Sequence, residues 1–150
     1  MAQRESDPDS RPSLVPLTPE ARTATSGGDI IVEVLPFRMG RDLRSGQHSA
    51  LRLFRKERRR SSETGPNHVY LAEHSRPHRI SRQHILIDQE GDRFYVEDQR
   101  SACGTLVQGE ALGGKREGGR RWLSHGDVIT VGGNHSPFVF KFLGPNGSGD

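Results

Sequence analysis

Four short segments of this chain carry residues that could act together on an anion. Gly40-Arg41 comes first, then Ser81-Arg82-Gln83-His84, then Ser101-Ala102-Cys103-Gly104-Thr105, and last Gly126-Asp127 running into Val-Ile-Thr-Val-Gly. A phosphate dianion needs fixed donors from more than one loop, and a planar guanidinium beside a short hydroxyl supplies charge and directional hydrogen bonds together. Arg41, Ser81 and Arg82 meet that demand, and Gly40 lets the backbone turn sharply without a Cβ in the way. Ser81 and His84 could be drawn as nucleophile and base, but no Gly-x-Ser-x-Gly elbow surrounds them and His84 opens an apolar strand. His74, His78 and His84 match the spacing of no common zinc site, and no cysteine lies near them in sequence. Neither catalysis nor a metal is expected.

The elements that must position these residues read as strands. Of 150 residues only 31% are hydrophobic, while 18 are Gly and 9 Pro, a balance suited to short strands joined by many turns. Residues 1–28 hold 13 Pro, Ser, Thr or Gly and no aromatic residue, so they are expected to form a disordered tail. Order should begin at Asp29, where Ile-Ile-Val-Glu-Val-Leu-Pro-Phe reads as a strand running toward Gly40. Residues 43–67 are polar at both ends and read as a long inserted loop. Strands follow at 68–73, 84–89 and 93–98, with Glu90-Gly91-Asp92 as a hairpin turn, and then at 105–107, 127–131 and 138–143. Ile85 and Ile87 share one face, as do Phe94 and Val96, and Trp122 is expected in the core. The fold class is all-β, a two-sheet antiparallel β-sandwich over residues 29–144, with a fraying tail at 145–150. The single cysteine, Cys103, excludes an internal disulfide, so packing must hold the domain together.

Charge is unevenly spread. The net charge is +3, yet residues 37–83 hold 12 Lys or Arg against 4 Asp or Glu, while residues 84–150 hold 7 against 9. An anionic partner would be steered to the basic third. The run from Arg52 to Arg60 opens an alternative reading, nucleic-acid binding through the inserted loop. No stretch approaches the roughly 20 apolar residues of a membrane span, and the polar N-terminus lacks a secretory signal's apolar core. An intracellular, cytoplasmic protein is expected.

In order and spacing, the four segments resemble the forkhead-associated domain family. The resemblance implies a sandwich of about ten or eleven strands whose loops at one end bind phosphothreonine peptides, with no catalysis and no cofactor. It implies that Arg41 is the phosphate-binding arginine, that Ser81 gives its hydroxyl to a phosphate oxygen, and that Arg82 contacts phosphate or peptide. His84, with Gly40, Gly104 and Thr105, would brace the binding loops, and Ser101, Ala102 and Cys103 would line the peptide groove. The third segment departs from the family, which usually has Asn-Gly-Thr there and a second Asn-Gly four residues on. This chain has Cys103-Gly104-Thr105 and then Gln108-Gly109. A thiol replaces a carboxamide that offers a strong acceptor and two donors. The implied partners are a phosphothreonine-containing protein and an upstream Ser/Thr kinase. The missing Asn motivates an alternative, a phosphate-independent scaffold or self-association module. Thr18, in Leu-Thr-Pro-Glu, is a candidate phosphorylation site that could fold back onto the domain's own pocket.

Overall fold

A computed structural model describes residues 11–42, 67–73 and 77–145. In chain order its elements are β1 (Ser13–Pro16), α1 (Pro19–Ala24), β2 (Ile30–Ile31), β3 (Phe37–Arg41), β4 (Val69–Leu71), β5 (Ile85–Glu90), β6 (Arg93–Asp98), β7 (Thr105–Val107), β8 (Glu110–Leu112), β9 (Gly119–Leu123), β10 (Val128–Val131) and β11 (Val139–Leu143). They form a six-stranded sheet, β2-β1-β11-β10-β7-β8, and a five-stranded sheet, β4-β3-β5-β6-β9. The expected two-sheet sandwich is what forms.

Period-two alternation builds the core between the sheets. Phe37 and Met39 of β3, Ile85 and Ile87 of β5, and Phe94 and Val96 of β6 face Leu14, Val107, Ile129, Val131, Phe140 and Phe142 of the other sheet. Phe94 and Phe142 meet across the interface with ring centroids 5.9 Å apart. Each such side chain, once fully buried, stabilises the fold by about 1.5–3 kcal/mol relative to exposure. Gln108 and Gly109 turn β7 into β8 with φ of 54° and 80°, the conformation of a two-residue hairpin loop. The Gln108 side chain also accepts from the Val128 N–H at 2.7 Å, tying this hairpin to β10.

All pairings are antiparallel except β3 with β4, which run parallel in the register Met39 to Val69 and Arg41 to Leu71. Parallel neighbours cannot be joined by a tight turn and need a crossover of a dozen residues or more. The segment expected as an inserted loop is therefore also the connection this topology requires. Its Arg52–Arg60 run lies outside the described residues, as do residues 1–10 and 146–150.

Order begins earlier than expected. Ser13–Pro16 pairs with β11, and Leu14 and Pro16 are buried while Ser13 and Val15 are half-exposed. Pro16 is tolerated because the Leu17 N–H points to Val139 and the Pro12 carbonyl to Val32. By alternation the Pro16 nitrogen faces the β2 side, past the end of β2, where no ladder bond is lost. Thr18 is correspondingly not in a loose tail. It is the N-cap of α1, with Pro19 and Glu20 in the first turn, and its hydroxyl accepts from the Ala21 N–H at 3.2 Å while donating to the Pro137 carbonyl. Phosphorylating Thr18 would remove the proton it donates to Pro137, while a phosphate at the N-terminus of α1 would still have the Ala21 N–H to accept from.

Three further expectations change. The strand expected from Asp29 to Gly40 splits into β2 and β3, because Pro36 supplies no N–H to a ladder. Strands β8 and β9 lay in sequence too charged and glycine-rich to read as strands. Trp122 is 40% exposed rather than core. It lies on the outer face of β9, edge-on to Tyr95 at 5.9 Å and beneath the Arg93 guanidinium at 4.0 Å.

Candidate functional site

Arg41 ends β3, and Ser81 and Arg82 lie in the connection from β4 to β5, so sheet pairing alone brings them to one end of the sandwich. Two hydrogen bonds fix them there: the Arg41 N–H donates to the Ser81 carbonyl at 3.0 Å, and Arg41 Nη1 donates to the Ile80 carbonyl at 3.2 Å. The connection is braced from inside by Glu73. This carboxylate is 5% exposed and accepts from the Arg79 N–H at 2.7 Å and the Ile80 N–H at 2.9 Å. Asn67 braces it from the other side, donating from Nδ2 to the Arg82 carbonyl at 2.8 Å.

His84 couples this connection to the next. Its ring is fully buried; Nδ1 accepts from the Ser81 N–H at 2.9 Å, so the proton sits on Nε2, which donates to the Gly104 carbonyl at 2.8 Å. Beneath Gly104 lies Asp98, itself 1% exposed, which accepts from the Ser101 N–H at 3.0 Å, the Ser101 hydroxyl at 2.7 Å and the Thr105 hydroxyl at 2.8 Å. Ser101 in turn accepts from the Gly104 N–H at 2.9 Å. Its side chain is buried and hydrogen-bonded to Asp98 and Gly104, and so it is a brace rather than a groove-lining residue. Ala102 and Cys103 are exposed. The Ala102 N–H donates to Ser81 Oγ at 3.2 Å, which joins the two connections directly.

Burial holds the His84 ring below its ordinary pKa, against the opposing pull of the Gly104 carbonyl, Asp98 and Glu73. Protonation would place a hydrogen on Nδ1 facing the Ser81 N–H and break that bond. Because the folded-state value lies below the unfolded one of about 6.5, the stability His84 contributes is fully present above about pH 6.5. It is lost as pH falls through the folded value. We expect the thermal midpoint to drop on acidification from neutral pH, with an NMR titration showing the His84 ring still neutral at pH 6.5. A ring that titrates at or above 6.5 would contradict this geometry.

What the arrangement offers is a set of donors whose chemistry suits an anion. One Arg41 nitrogen is committed to Ile80, and the rest of its fork has no hydrogen-bond partner among the described residues. Ser81 Oγ accepts from Ala102, leaving its O–H to donate outward. The exposed Arg82 side chain has no hydrogen-bond or ion-pair partner among the described residues. Of the residues singled out from sequence, Arg41, Ser81, Arg82, Ala102 and Cys103 converge on this end, while Gly40, His84, Ser101, Gly104 and Thr105 lie beneath it as supports. Glu73, Asn67 and Asp98 were missed. Only Asp98 left a trace, since Asp three residues before Ser is a turn-forming pattern.

The same sandwich is found in solved structures. EmbR of Mycobacterium tuberculosis, in complex with a low-affinity phosphopeptide, aligns with a TM-score of 0.57 and 19% identity, over 94% of this chain but 26% of its own. This chain thus spans about a quarter of that protein. The FHA domain of CT664 from Chlamydia trachomatis gives 0.56 and 20% identity over 89% of this chain and 97% of its own. The FHA domain of an Arabidopsis thaliana hypothetical protein gives 0.59 and 18% over 100% and 99%. At such identities the likeness is one of fold, and no curated protein matches the chain. The sequence itself carries the family: an FHA domain model matches residues 38–132, a span that holds every one of these site residues from Gly40 to Thr105, so the chain belongs to the FHA domain family.

Proposed function

We propose that this domain binds phosphothreonine-containing segments of partner proteins and acts downstream of a Ser/Thr kinase. The observation that carries the reading is the convergence of the Arg41 fork and the Ser81 hydroxyl, tied by the bond from the Arg41 N–H to the Ser81 carbonyl at 3.0 Å. A phosphate with two negative charges gains charge-assisted hydrogen bonds from such a pair. Membership of the FHA family and the phosphopeptide bound to the structurally similar EmbR support the same reading. The test is titration of matched peptides that differ only in phosphorylation of one threonine. Equal affinity for both would sink the proposal and favour a phosphate-independent scaffold.

Cys103 modulates the expected strength. It is exposed at the mouth of the site, and its thiol makes weaker hydrogen bonds than the carboxamide usual at this position. Restoring one good hydrogen bond is worth about 1–2 kcal/mol, or roughly five- to thirtyfold. Cys103→Asn is therefore expected to tighten phosphopeptide binding by that factor, measured by calorimetry. Unchanged or weaker binding would show that the residue at this position makes no peptide contact.

A further inference from the structure

The connection from β8 to β9 folds back onto the connection from β6 to β7. The Lys115 N–H donates to the Ala102 carbonyl and the Arg116 N–H to the Ser101 carbonyl, both at 2.9 Å. The packing is close enough that a Cβ on Gly104 would meet Gly114 Cα at 3.3 Å. Arg100, immediately before Ser101, lies over Gly118 of the same turn, where a Cβ would meet Arg100 Cγ at 3.3 Å. These contacts gather Arg100, Lys115 and Arg116 beside the exposed Ala102 and Cys103.

Backbone conformation distinguishes the three cations. Among the described residues five non-glycine residues have positive φ, and three of them are Arg100 (61°), Lys115 (53°) and Arg116 (62°). Glycine would take these positions without steric cost, yet each holds a long cation fixed by its neighbours. All three side chains are exposed, and none has an ion-pair partner among the described residues, Glu117 of the same turn included. Among the described residues they are unpaired cations on two connections pinned to one another.

Their distance from Ser81 is short. The Ser81 hydroxyl is one hydrogen bond from Ala102, and Ala102 is one from Lys115, which puts the Lys115 backbone within about 10 Å of the hydroxyl. An extended peptide rises about 3.3 Å per residue. We propose that Arg100, Lys115 and Arg116 form a second anion subsite, which takes a carboxylate or second phosphate two to four residues from the phosphothreonine on the same peptide. This rests on the phosphothreonine reading of Ser81 and Arg41 and adds a specificity to it.

The experiment compares one neutral-flanked phosphothreonine peptide with versions carrying Glu, or phosphoserine, two to four residues away on one side or the other. The wild-type domain should bind one acidic-flanked version about tenfold more tightly than the neutral one, with the gain shrinking as salt rises. The double variant Lys115→Gly, Arg116→Gly should bind the neutral peptide within about twofold of wild type, melt no earlier, and lose the gain. Lys115→Glu should reverse it. Gain from phosphoserine alone would identify a second phosphate as the ligand, and gain from both an anion in general. Phosphate-dependent binding without flank preference, or a preference that survives in the double variant, would overturn the subsite alone. Absence of any phosphate dependence would overturn the underlying reading with it.

Discussion

Arg41→Ala is expected to abolish measurable discrimination between a phosphothreonine peptide and its unphosphorylated counterpart. In this site Arg41 is the charge whose position the fold fixes most firmly, through its own N–H to Ser81 and its Nη1 to Ile80. Two charge-assisted hydrogen bonds to a phosphate are worth about 3 kcal/mol or more together, so affinity should fall by at least about a hundredfold. The fold should survive, because the side chain is half-exposed and only its bond to the Ile80 carbonyl is lost, at about 1 kcal/mol. Arg41→Lys separates charge from geometry: it keeps a cation but not the planar fork, and should recover part of the affinity. Titration of both variants with the matched peptide pair checks this. An Arg41→Ala domain that still binds the phosphopeptide as wild type does would move the phosphate elsewhere.

The sequence made the exposed donors legible and hid most of what holds them. Arg41, Ser81 and Arg82 stand in short segments beside clear strand patterns, so their types and order pointed to one end of a sandwich. Strands β5, β6, β7, β10 and β11 read well because alternating Ile, Val and Phe must face a core, and that periodicity is local. Glu73, Asn67 and Asp98 are different. Each is an ordinary polar residue whose importance comes from backbone groups it meets only after folding, such as the Arg79 and Ile80 N–H groups on Glu73. The N-terminal segment misled through composition. Four residues of β1 and six of α1 were outweighed by surrounding Pro, Ser and Gly, although Thr-Pro-Glu is also a helix-start pattern. Trp122 misled through type: a large aromatic suggests core, but its strand is the edge of the five-stranded sheet and its outward face is covered by Tyr95 and Arg93. Ser101 shows the remaining limit, since a serine beside exposed Ala102 and Cys103 gives no sign that its own hydroxyl points inward to Asp98.

Gly40→Ala should be among the most disruptive single substitutions in the domain, for a reason other than turn flexibility. Gly40 lies within β3, one residue before Arg41, and the Arg82 backbone crosses directly over it. A Cβ there would meet the Arg82 carbonyl oxygen at 2.0 Å, its carbon at 2.7 Å and Asn67 Nδ2 at 2.8 Å. No rotamer relieves a clash with backbone. Arg82 could retreat only by breaking its bond from Asn67 and straining the flanking bonds from Arg41 to Ser81 and from the His84 N–H to the Met39 carbonyl. Overpacking of this kind costs about 3 kcal/mol, a fall of roughly 10 °C in thermal midpoint. Phosphopeptide affinity should fall with it, because the residues displaced are Ser81 and Arg82. Gly91→Ala supplies the contrast: its φ of 64° imposes a conformational cost of about 1 kcal/mol, but a Cβ there meets nothing within 4 Å. Gly91→Ala should therefore melt only a few degrees earlier and bind phosphopeptide as wild type does. Equal melting points for the two variants would mean that Arg82 does not pass over Gly40 as closely as this geometry requires.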